Sequence, residues 1–317
     1  MAVRIESLPQ KRLIEAVSPY LKAIIPQASL EGRALCRSRR RGTLVSTIQL
    51  GLQQIIRFKR ERSQESTERH YSDSYADTGV EAFDACLAST ARSNPFKLGN
   101  ESLLVLPPSG LYAAYLATLS DVVGQLKPSS VCEVGFGSGK NLIYLAPRFP
   151  DIPFCGYELT HEGVAVAKSL QERQSLPPNL AKLVGQNDVT AMEAVRRIDF
   201  RQGNAKCLSA PDKSFDLTFT VLALEQMWPI LPQVLAEIRR VTCRYVVFLE
   251  AFREANDWLG YLNLLVRNYF RADLRMMQAA GFAPIALFRQ LPLKHTHGVA
   301  MLVAEVVPAP SPNAKVH

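Results

Sequence analysis

Residues 131–142 read VCEVGFGSGKNL, a short apolar run that leads into three glycines, with a carboxylate just before them. Glycines at a strand-to-helix turn let the backbone turn sharply and let a ligand approach closely. The N-terminus of the following helix favours negative charge. The spacing is not the GxGxxG of a dinucleotide-binding turn, because Lys140 occupies the third glycine position. No GxxxxGK[ST] phosphate-binding loop occurs in the chain.

Downstream of this turn, short apolar runs alternate with stretches of helical periodicity. The predicted strands are 131–134, 153–157, 198–202, 215–221, 245–250, 284–288 and 299–306. The predicted helices are 139–148, 161–173, 231–241 and 257–280, with an inserted turn and short helix after Arg173. This alternation indicates a mainly parallel sheet with helices on both faces. The last two strands are joined by RQLPLKHTHG, which is too short for a crossover helix, so they should form an antiparallel hairpin.

The region before the sheet is predicted to be a helical extension with basic segments. Helical periodicity over 11–25 and 44–58 predicts two amphipathic helices separated by a basic loop at 36–42. The polar residues 60–79 are interpreted as a linker or lid, and 111–126 as a further helix. The predicted domains are an extension or lid (1–105), an α/β domain (106–307) and a flexible tail (308–317).

The composition favours a globular protein of the cytoplasm. No apolar run approaches the ~18 residues that span a bilayer, and the N-terminus lacks the apolar core of a signal peptide. The six cysteines form no CxxC pair and no zinc-ligand pattern, so we interpret them as buried free thiols and expect no metal. The net charge of +8 comes partly from CRSRRRG and RFKRER, which are either solvated helix surfaces or contacts to anionic partners.

Four motifs in order resemble those of the class I S-adenosylmethionine-dependent methyltransferases. The sequence E-x-G-x-G-x-G, with Glu133 on the strand, is similar to the family's motif I. The second strand, PFCGYELT, ends in Glu158, where the family keeps an acidic residue that can accept both ribose hydroxyls. The segment QGNAKCLSAPDKSFDLTFTVLALEQM (202–227) resembles the family's GDA…LPFPDxSFDLV…LEH segment. The resemblance covers residues 110–306 and is nearest to the small-molecule group of type 11/25-like enzymes.

The resemblance implies a fold and a set of cofactor-binding residues. The fold would be a Rossmann-like, seven-stranded, mostly parallel sheet with an antiparallel final hairpin and an N-terminal helical extension. The cofactor would be S-adenosylmethionine. The residues implied for its binding are Glu133, Gly135, Phe136, Gly137, Gly139, Asn141, Glu158, Leu159, Asn204, Ala205 and Leu222, with Tyr71 and Tyr75 from the lid. Two positions depart from the family: Asn204 replaces its usual Asp, and LEQ replaces LEH, which removes a histidine at position 226.

The catalytic candidates lie at predicted strand ends. Ligands of open α/β sheets bind beyond the carboxyl ends of parallel strands. His295 and His297, in the loop after the sixth strand, and Glu250, at the end of the fifth, should therefore lie near the substrate. Each also has a structural interpretation: exposed loop histidines for the first two, and a surface ion pair or cap for Glu250.

Three functions remain open at this point. The first is methyl transfer to an oxygen or nitrogen atom of a small molecule, with a homodimer formed through the N-terminal helices as one role for the extension. The second is a methyltransferase acting on RNA or protein, which the basic extension favours. Against it, the chain has no [DNS]PP[YFW] motif. The third is a cofactor-binding partner protein without turnover.

Overall fold

A computed structural model of the chain describes most of its residues. The described residues are 5–56, 79–88, 93–98, 101–186, 188–267, 269–270, 272–289, 291 and 297–307. The predicted linker up to residue 78, the whole second basic segment (57–62) and the predicted tail lie outside them. Every helix within the described ranges is too short or too polar to cross a lipid bilayer.

The central sheet has seven strands, as predicted. They are β4 (Val131–Val134), β5 (Phe154–Glu158), β6 (Asp199–Gln202), β7 (Phe215–Val221), β8 (Thr242–Glu250), β9 (Phe282–Phe288) and β10 (Ala300–Val306). Their order is β6-β5-β4-β7-β8-β10-β9. Strands β4 to β8 pair in parallel, and β10 is antiparallel to both β8 and β9. The Rossmann-like sheet and its antiparallel final hairpin are therefore confirmed.

Helices cover both faces of this sheet. They are α4 (Pro108–Leu126), α5 (Lys140–Leu145), α6 (His161–Glu172), α7 (Pro178–Val184), α8 (Val189–Arg196), α9 (Leu231–Val241), α10 (Trp258–Arg267) and α11 (Leu274–Ala279). The inserted segment forms two short helices, α7 and α8, rather than one, and the predicted helix 257–280 is divided into α10 and α11.

Two apolar cores lie on opposite faces of the sheet. Successive side chains of a strand point to opposite faces, so Val247 and Leu249 enter one core while Val246 and Phe248 enter the other. This arrangement explains why the strands read as continuous apolar runs. It also leaves the carboxyl ends of β4, β5, β7 and β8 at one edge, because parallel strands end on the same side.

Part of the N-terminal region departs from the prediction. Helix α1 covers Gln10–Val17, and the chain then forms a 3-10 turn and strand β1 (Ala23–Pro26). The helix predicted for 11–25 therefore ends early. Pro19 has no backbone N–H to continue the helical hydrogen bonds, and the chain is extended from Leu21 onward.

Strand β1 belongs to a small antiparallel sheet that the sequence analysis did not predict. Its other strands are β2 (Asn94–Leu98) and β3 (Ser102–Leu106), and the strand order is β1-β3-β2. The extension before residue 106 is therefore not helical throughout. Strands of four and five residues carry too little periodicity to separate them from loops or helix ends.

The basic segment at 36–42 is helical, and the predicted loop is wrong. A single helix, α2, runs from Leu30 to Ile56 through Arg37, Arg39, Arg40 and Arg41. Arginine is a good helix former, and a single Gly42 costs only about 1 kcal/mol in a helix. Helix α2 packs against α10 of the sheet domain, where Asn263 donates a hydrogen bond to Thr47 (2.8 Å).

The cysteines divide by position. Cys132 and Cys155 on β4 and β5 are buried thiols, as predicted. Cys36 is half-buried, and Cys207 and Cys243 are exposed, so the prediction of buried thiols is wrong for these three. Cys36 lies on a helix, Cys207 in a loop and Cys243 near the amino end of a strand. At such positions the sequence does not indicate whether a side chain is buried.

A buried carboxylate joins the extension to the inserted helices. Asp84, on helix α3 (Val80–Cys86), accepts hydrogen bonds from the backbone N–H groups of Leu180 (2.8 Å) and Asn179 (3.3 Å). It also accepts one from the Asn179 side chain (2.9 Å). A carboxylate at the free N–H groups of a helix N-terminus caps that helix, here α7.

We expect Asp84→Ala to lower the free energy of unfolding by about 1–3 kcal/mol, because buried N–H groups would lose their acceptor. Glu81→Ala is the matched control. Glu81 is an exposed carboxylate on the same helix that pairs with Arg173 at the surface, and its loss should change stability little. Urea unfolding of both variants measures the difference, and equal stabilities would contradict the capping role.

Candidate functional site

The glycine turn after β4 depends on backbone conformations that suit only glycine. Gly135, Gly137 and Gly139 have φ angles of 79°, 59° and 82°. A Cβ atom on Gly135 would lie 2.7 Å from the Cβ of Ala223, and one on Gly139 would lie 2.9 Å from the Phe200 ring. The first and last glycines therefore also let the turn pack closely against its neighbours.

Glu158, the last residue of β5, fixes this turn from the neighbouring strand. Its Oε2 accepts a hydrogen bond from the backbone N–H of Gly137 (3.0 Å). Its Oε1 accepts from the backbone N–H (3.0 Å) and the hydroxyl (2.9 Å) of Thr160, which caps helix α6. The carboxylate is thus held in one orientation at the edge of the sheet, with one lone pair of Oε2 remaining for a ligand.

A cleft of about 250 Å³ opens beside the turn and Glu158. Of the residues proposed for cofactor binding, those in its wall are Gly135, Phe136, Gly137, Asn141, Glu158, Leu159, Asn204, Ala205 and Leu222. Glu133 and Gly139 lie behind the wall and shape it indirectly. Tyr71 and Tyr75 lie outside the described residues.

Tyr112 and Lys140 also line the cleft, and the sequence analysis did not propose them. The Lys140 ammonium lies 4.6 Å from the centre of the Tyr112 ring, a cation–π contact. Lys140 follows the glycine turn directly and could have been found from that position. Tyr112 lies on α4, outside any motif, and only the fold brings it to the cleft.

Glu133 is fully buried, and its Oε1 accepts a hydrogen bond from the Asn141 side chain (2.5 Å). Burial raises its pKa to about 8, so the carboxyl group carries a proton at neutral pH. A neutral Glu133 joins β4 to the first turn of α5 without placing a charge in the core.

Asn204 faces the cleft with its side-chain oxygen already in use. That oxygen accepts a hydrogen bond from the backbone N–H of Lys206 at 3.0 Å. A carbonyl oxygen has two lone pairs, so one remains for a ligand donor. Asn204, which stands where the family usually has Asp, therefore still offers one lone pair of its side-chain oxygen to a ligand in the cleft.

Glu250 is not in the cleft wall, contrary to the expectation that it would face the substrate. It is fully buried, and its Oε1 accepts hydrogen bonds from the Thr220 hydroxyl (2.8 Å) and the N–H groups of Ala223 (3.1 Å) and Leu224 (3.2 Å). Leu222 beside them has a left-handed φ of 53°, uncommon for a non-glycine residue. Glu250 therefore holds a strained loop that forms part of the cleft, which agrees with its interpretation as a cap.

His297 is buried, and its partner is a residue of the LEQ segment. Its Nε2 lies 3.4 Å from Oε1 of Glu225, which is also buried. Glu225 directly precedes Gln226, a residue of the cleft wall. Although histidine is missing at position 226, a histidine from the loop before β10 stands beside this segment. His295 lies outside the described residues.

His297 also lines a second cavity, of about 320 Å³. We call it the basic cavity; it is lined by Cys36, Arg39, Arg40, Thr43, Lys97, Ala255, Asn256, Asp257, Leu259, Gly260, His297 and Gly298. The cleft and the basic cavity are linked through the buried Tyr115. Tyr112 of the cleft contacts the ring of Tyr115 (6.4 Å between centres), and Tyr115 interacts electrostatically with Arg39 of the basic cavity.

Comparison with known families identifies the central part of the chain. Residues 132–248 match the family model described as a methyltransferase domain. The matched range begins inside β4 and ends inside β8, so it contains the glycine turn, Glu158 and the LEQ segment. No curated protein matches the chain.

Solved structures with similar folds include several methyltransferases. Magnesium protoporphyrin IX methyltransferase from Synechocystis PCC 6803, with bound S-adenosylhomocysteine, is 13% identical, with 62% of this chain and 83% of that chain covered and a TM-score of 0.45. The PH0226 protein of Pyrococcus horikoshii OT3 is 15% identical, with 62% and 91% covered and a TM-score of 0.43. At these TM-scores the similarities carry no functional argument.

We expect Glu250→Gln to flatten the pH dependence of stability. Burial, and then the nearby Glu225, raise the pKa of Glu250 from 4.5 to about 8. Between these values the folded protein keeps a proton that the unfolded chain releases. The free energy of unfolding therefore falls as the pH rises through this window, by up to about 1.4 kcal/mol per pH unit for this group.

Urea unfolding at several pH values between 5 and 8 measures this slope. Glutamine keeps the oxygen that accepts the three hydrogen bonds but cannot ionise, so the variant should lose stability less steeply than the wild type. Some slope should remain, because Glu133 titrates in the same way. Glu193→Gln, at an exposed position on α8, is the control. An unchanged slope in Glu250→Gln would show that Glu250 is ionised in the folded state.

Proposed function

We propose that this chain, a class I S-adenosylmethionine-dependent methyltransferase over residues 132–248, transfers a methyl group to an oxygen or nitrogen atom of a small-molecule acceptor. The observation that carries the proposal is the Glu158 carboxylate, fixed beside a left-handed glycine turn in a cleft at the carboxyl edge of the sheet. Ligands of open α/β sheets bind at this edge.

The residues of the cleft suit the donor. Oε2 of Glu158 keeps one lone pair for a ribose hydroxyl, and Oε1 can accept a second hydroxyl once the Thr160 hydroxyl turns away to donate elsewhere. Leu159, Ala205 and Leu222 offer apolar surface to a planar base, and Asn204 offers a hydrogen-bond acceptor at its edge. When bound, S-adenosylmethionine supplies a methyl group activated by its sulfonium, so the protein's task is to orient the reactants and take up a proton.

His297 is the proposed proton acceptor. It lies at the carboxyl edge, buried, with Nε2 3.4 Å from the Glu225 carboxylate. A histidine beside a carboxylate can take up a proton while the carboxylate stabilises the resulting charge. In this proposal the methyl acceptor loses its proton to the His297 ring as the new bond forms. Glu225 is a positioning residue.

The extension has two proposed roles. Its residues on α2 and β2 form one side of the basic cavity, which supports the interpretation of 1–105 as a partial cover for the substrate region. On its outer side, α2 exposes Val45, Ile48 and Leu52, each by about half of its surface. This apolar stripe supports a homodimer formed through the N-terminal helices.

RNA or protein as the acceptor is the second candidate, and the arginines within α2 favour it. Binding to phosphate backbones weakens steeply with salt, so retention on heparin over a salt gradient separates this function from the first. A cofactor-binding protein without turnover is the third candidate. It would bind the donor tightly and transfer no methyl group to any fraction of an extract.

We expect Glu158→Ala to bind S-adenosylmethionine and S-adenosylhomocysteine at least about tenfold more weakly, because a hydrogen bond to a charged carboxylate is worth about 1.5–3 kcal/mol. Titration calorimetry measures both affinities. Glu162→Ala, in the first turn of α6 just after Glu158 and outside the cleft wall, is the control. The substitution also removes the carboxylate that accepts a hydrogen bond from the Gly137 N–H, so circular dichroism should verify that the variant is folded. No binding by folded wild type would refute the proposed function.

We expect His297→Asn to lower methyl transfer by about 10²-fold or more while donor affinity stays within about twofold, since only the proton acceptor is removed. The assay follows labelled methyl groups from S-adenosylmethionine into the small-molecule fraction of an extract. His161→Asn, exposed at the start of α6, is the control. If the two variants transfer at equal rates, His297 is a structural residue and the reaction needs no base from it.

A further inference from the structure

Helix α2 contacts the rest of the protein with its polar side. Its buried side chains, among those that the structure describes, are Thr43 and Thr47. Thr47 accepts the hydrogen bond from Asn263 of α10, and Arg267 of α10 donates one to Ser46 (3.3 Å). No described side chain of α2 belongs to either apolar core. This polarity is the reverse of the usual one, in which a surface helix packs its apolar face against the core.

The apolar side chains of α2 lie on its outer side instead. Leu44, Val45, Ile48 and Leu52 are exposed by 42%, 51%, 52% and 54%. At about 100° per residue, their spacing places all four on one face of the helix. We call these four residues the outer stripe. An exposed apolar stripe on a helix that packs by its polar side indicates an interaction surface.

The same face is cationic toward the start of the helix. Arg37 and Arg41 are exposed, and each precedes a residue of the outer stripe, Leu44 or Ile48, by seven residues, which is two helical turns. From residue 32 to its end, α2 contains no acidic residue, and from residue 42 onward it contains no charged residue. The outer face of α2 therefore joins a cationic half to an uncharged, apolar half.

An anionic membrane surface complements both halves of this face. In a helix that lies in the membrane interface, apolar side chains enter the boundary between headgroups and acyl chains, while arginines meet anionic headgroups. A phosphate backbone, as in RNA, would complement the arginines but leave the outer stripe in water.

A second copy of the chain, as in the homodimer proposed above, could cover the same outer stripe. The outer face of its α2, however, would bring arginines and no carboxylate to the arginines. Four half-exposed side chains also offer less than the ~800 Å² that each partner buries in a stable dimer, so a dimer would need further contacts. Charge and area therefore favour the membrane.

We propose that α2 docks on the surface of a membrane that contains anionic lipids, with the outer stripe in the lipid interface and Arg37 and Arg41 at the headgroups. The inner side of α2 lines the basic cavity. Docking would thus bring this cavity to within the diameter of one helix, about 10 Å, of the lipid. The docking does not depend on the proposed methyl transfer, because it involves only the outer face of the extension.

Sedimentation of the full chain with sucrose-loaded vesicles tests this inference. One set of vesicles contains phosphatidylcholine and phosphatidylglycerol in equal parts, and the other contains phosphatidylcholine alone. We expect binding to the mixed vesicles to be about tenfold stronger or more, because headgroup attraction adds to apolar insertion. Added salt should reduce this difference.

Paired variants separate apolar insertion from charge. Val45→Ser with Ile48→Ser removes apolar surface from the outer stripe and leaves the polar inner side unchanged, so binding to mixed vesicles should weaken about tenfold or more. Val189→Ser with Met276→Ser, at exposed apolar positions on α8 and α11, is the matched control and should bind as the wild type does.

A charge variant tests the cationic half of the face. Arg37→Gln with Arg41→Gln should remove most of the preference for mixed vesicles and leave binding to phosphatidylcholine vesicles unchanged. A preference as large as that of the wild type would refute the assigned role of these two arginines.

Three outcomes would overturn the membrane proposal. One is no binding of the folded wild type to mixed vesicles. Another is equal binding by the outer-stripe variant and its control, the result expected when charge alone attracts the protein. The third comes from analytical ultracentrifugation without lipid: a wild-type dimer that the outer-stripe variant loses, together with no vesicle binding, assigns this face to a second copy of the chain.

Discussion

This site depends on buried carboxylates at the ends of parallel strands. Each of them accepts hydrogen bonds from backbone N–H groups of a neighbouring loop. Glu158 does so for the glycine turn after β4, and Glu250 does so for the loop after β7. Loops at a sheet edge have no ladder partners of their own, so their N–H groups need acceptors from elsewhere. These two carboxylates therefore hold the turn and the loop that form part of the cleft wall.

The two carboxylates accept these hydrogen bonds in different environments. Glu158 lies at the cleft, where a ligand and solvent can reach it, whereas Glu250 is sealed in the core beside Glu225. The raised pKa of Glu250 keeps it neutral at physiological pH, so the loop gains an acceptor without a buried charge. Glu225, which contributes to that raised pKa, lies 3.4 Å from Nε2 of His297.

The sheet domain and the extension contribute different chemistry. The cleft is formed by the sheet domain and is mainly apolar, with one fixed carboxylate. The basic cavity takes its cations from α2 and β2, both before residue 106. In the proposed enzyme the first holds the donor.

The sequence by itself determined the sheet, its final hairpin and the glycine turn, because these depend on local periodicity, connection length and the backbone freedom of glycine. It also indicated Glu158 from its place at a strand end. Only the tertiary structure decided that Glu250 is a buried support, that His297 stands beside Glu225, and that Tyr112 reaches the cleft. These pairings join residues distant in the chain, and no local pattern encodes them. The continuous α2 and the small sheet were missed for a related reason: charge density does not break a helix, and short strands are defined by their partners rather than by their own residues.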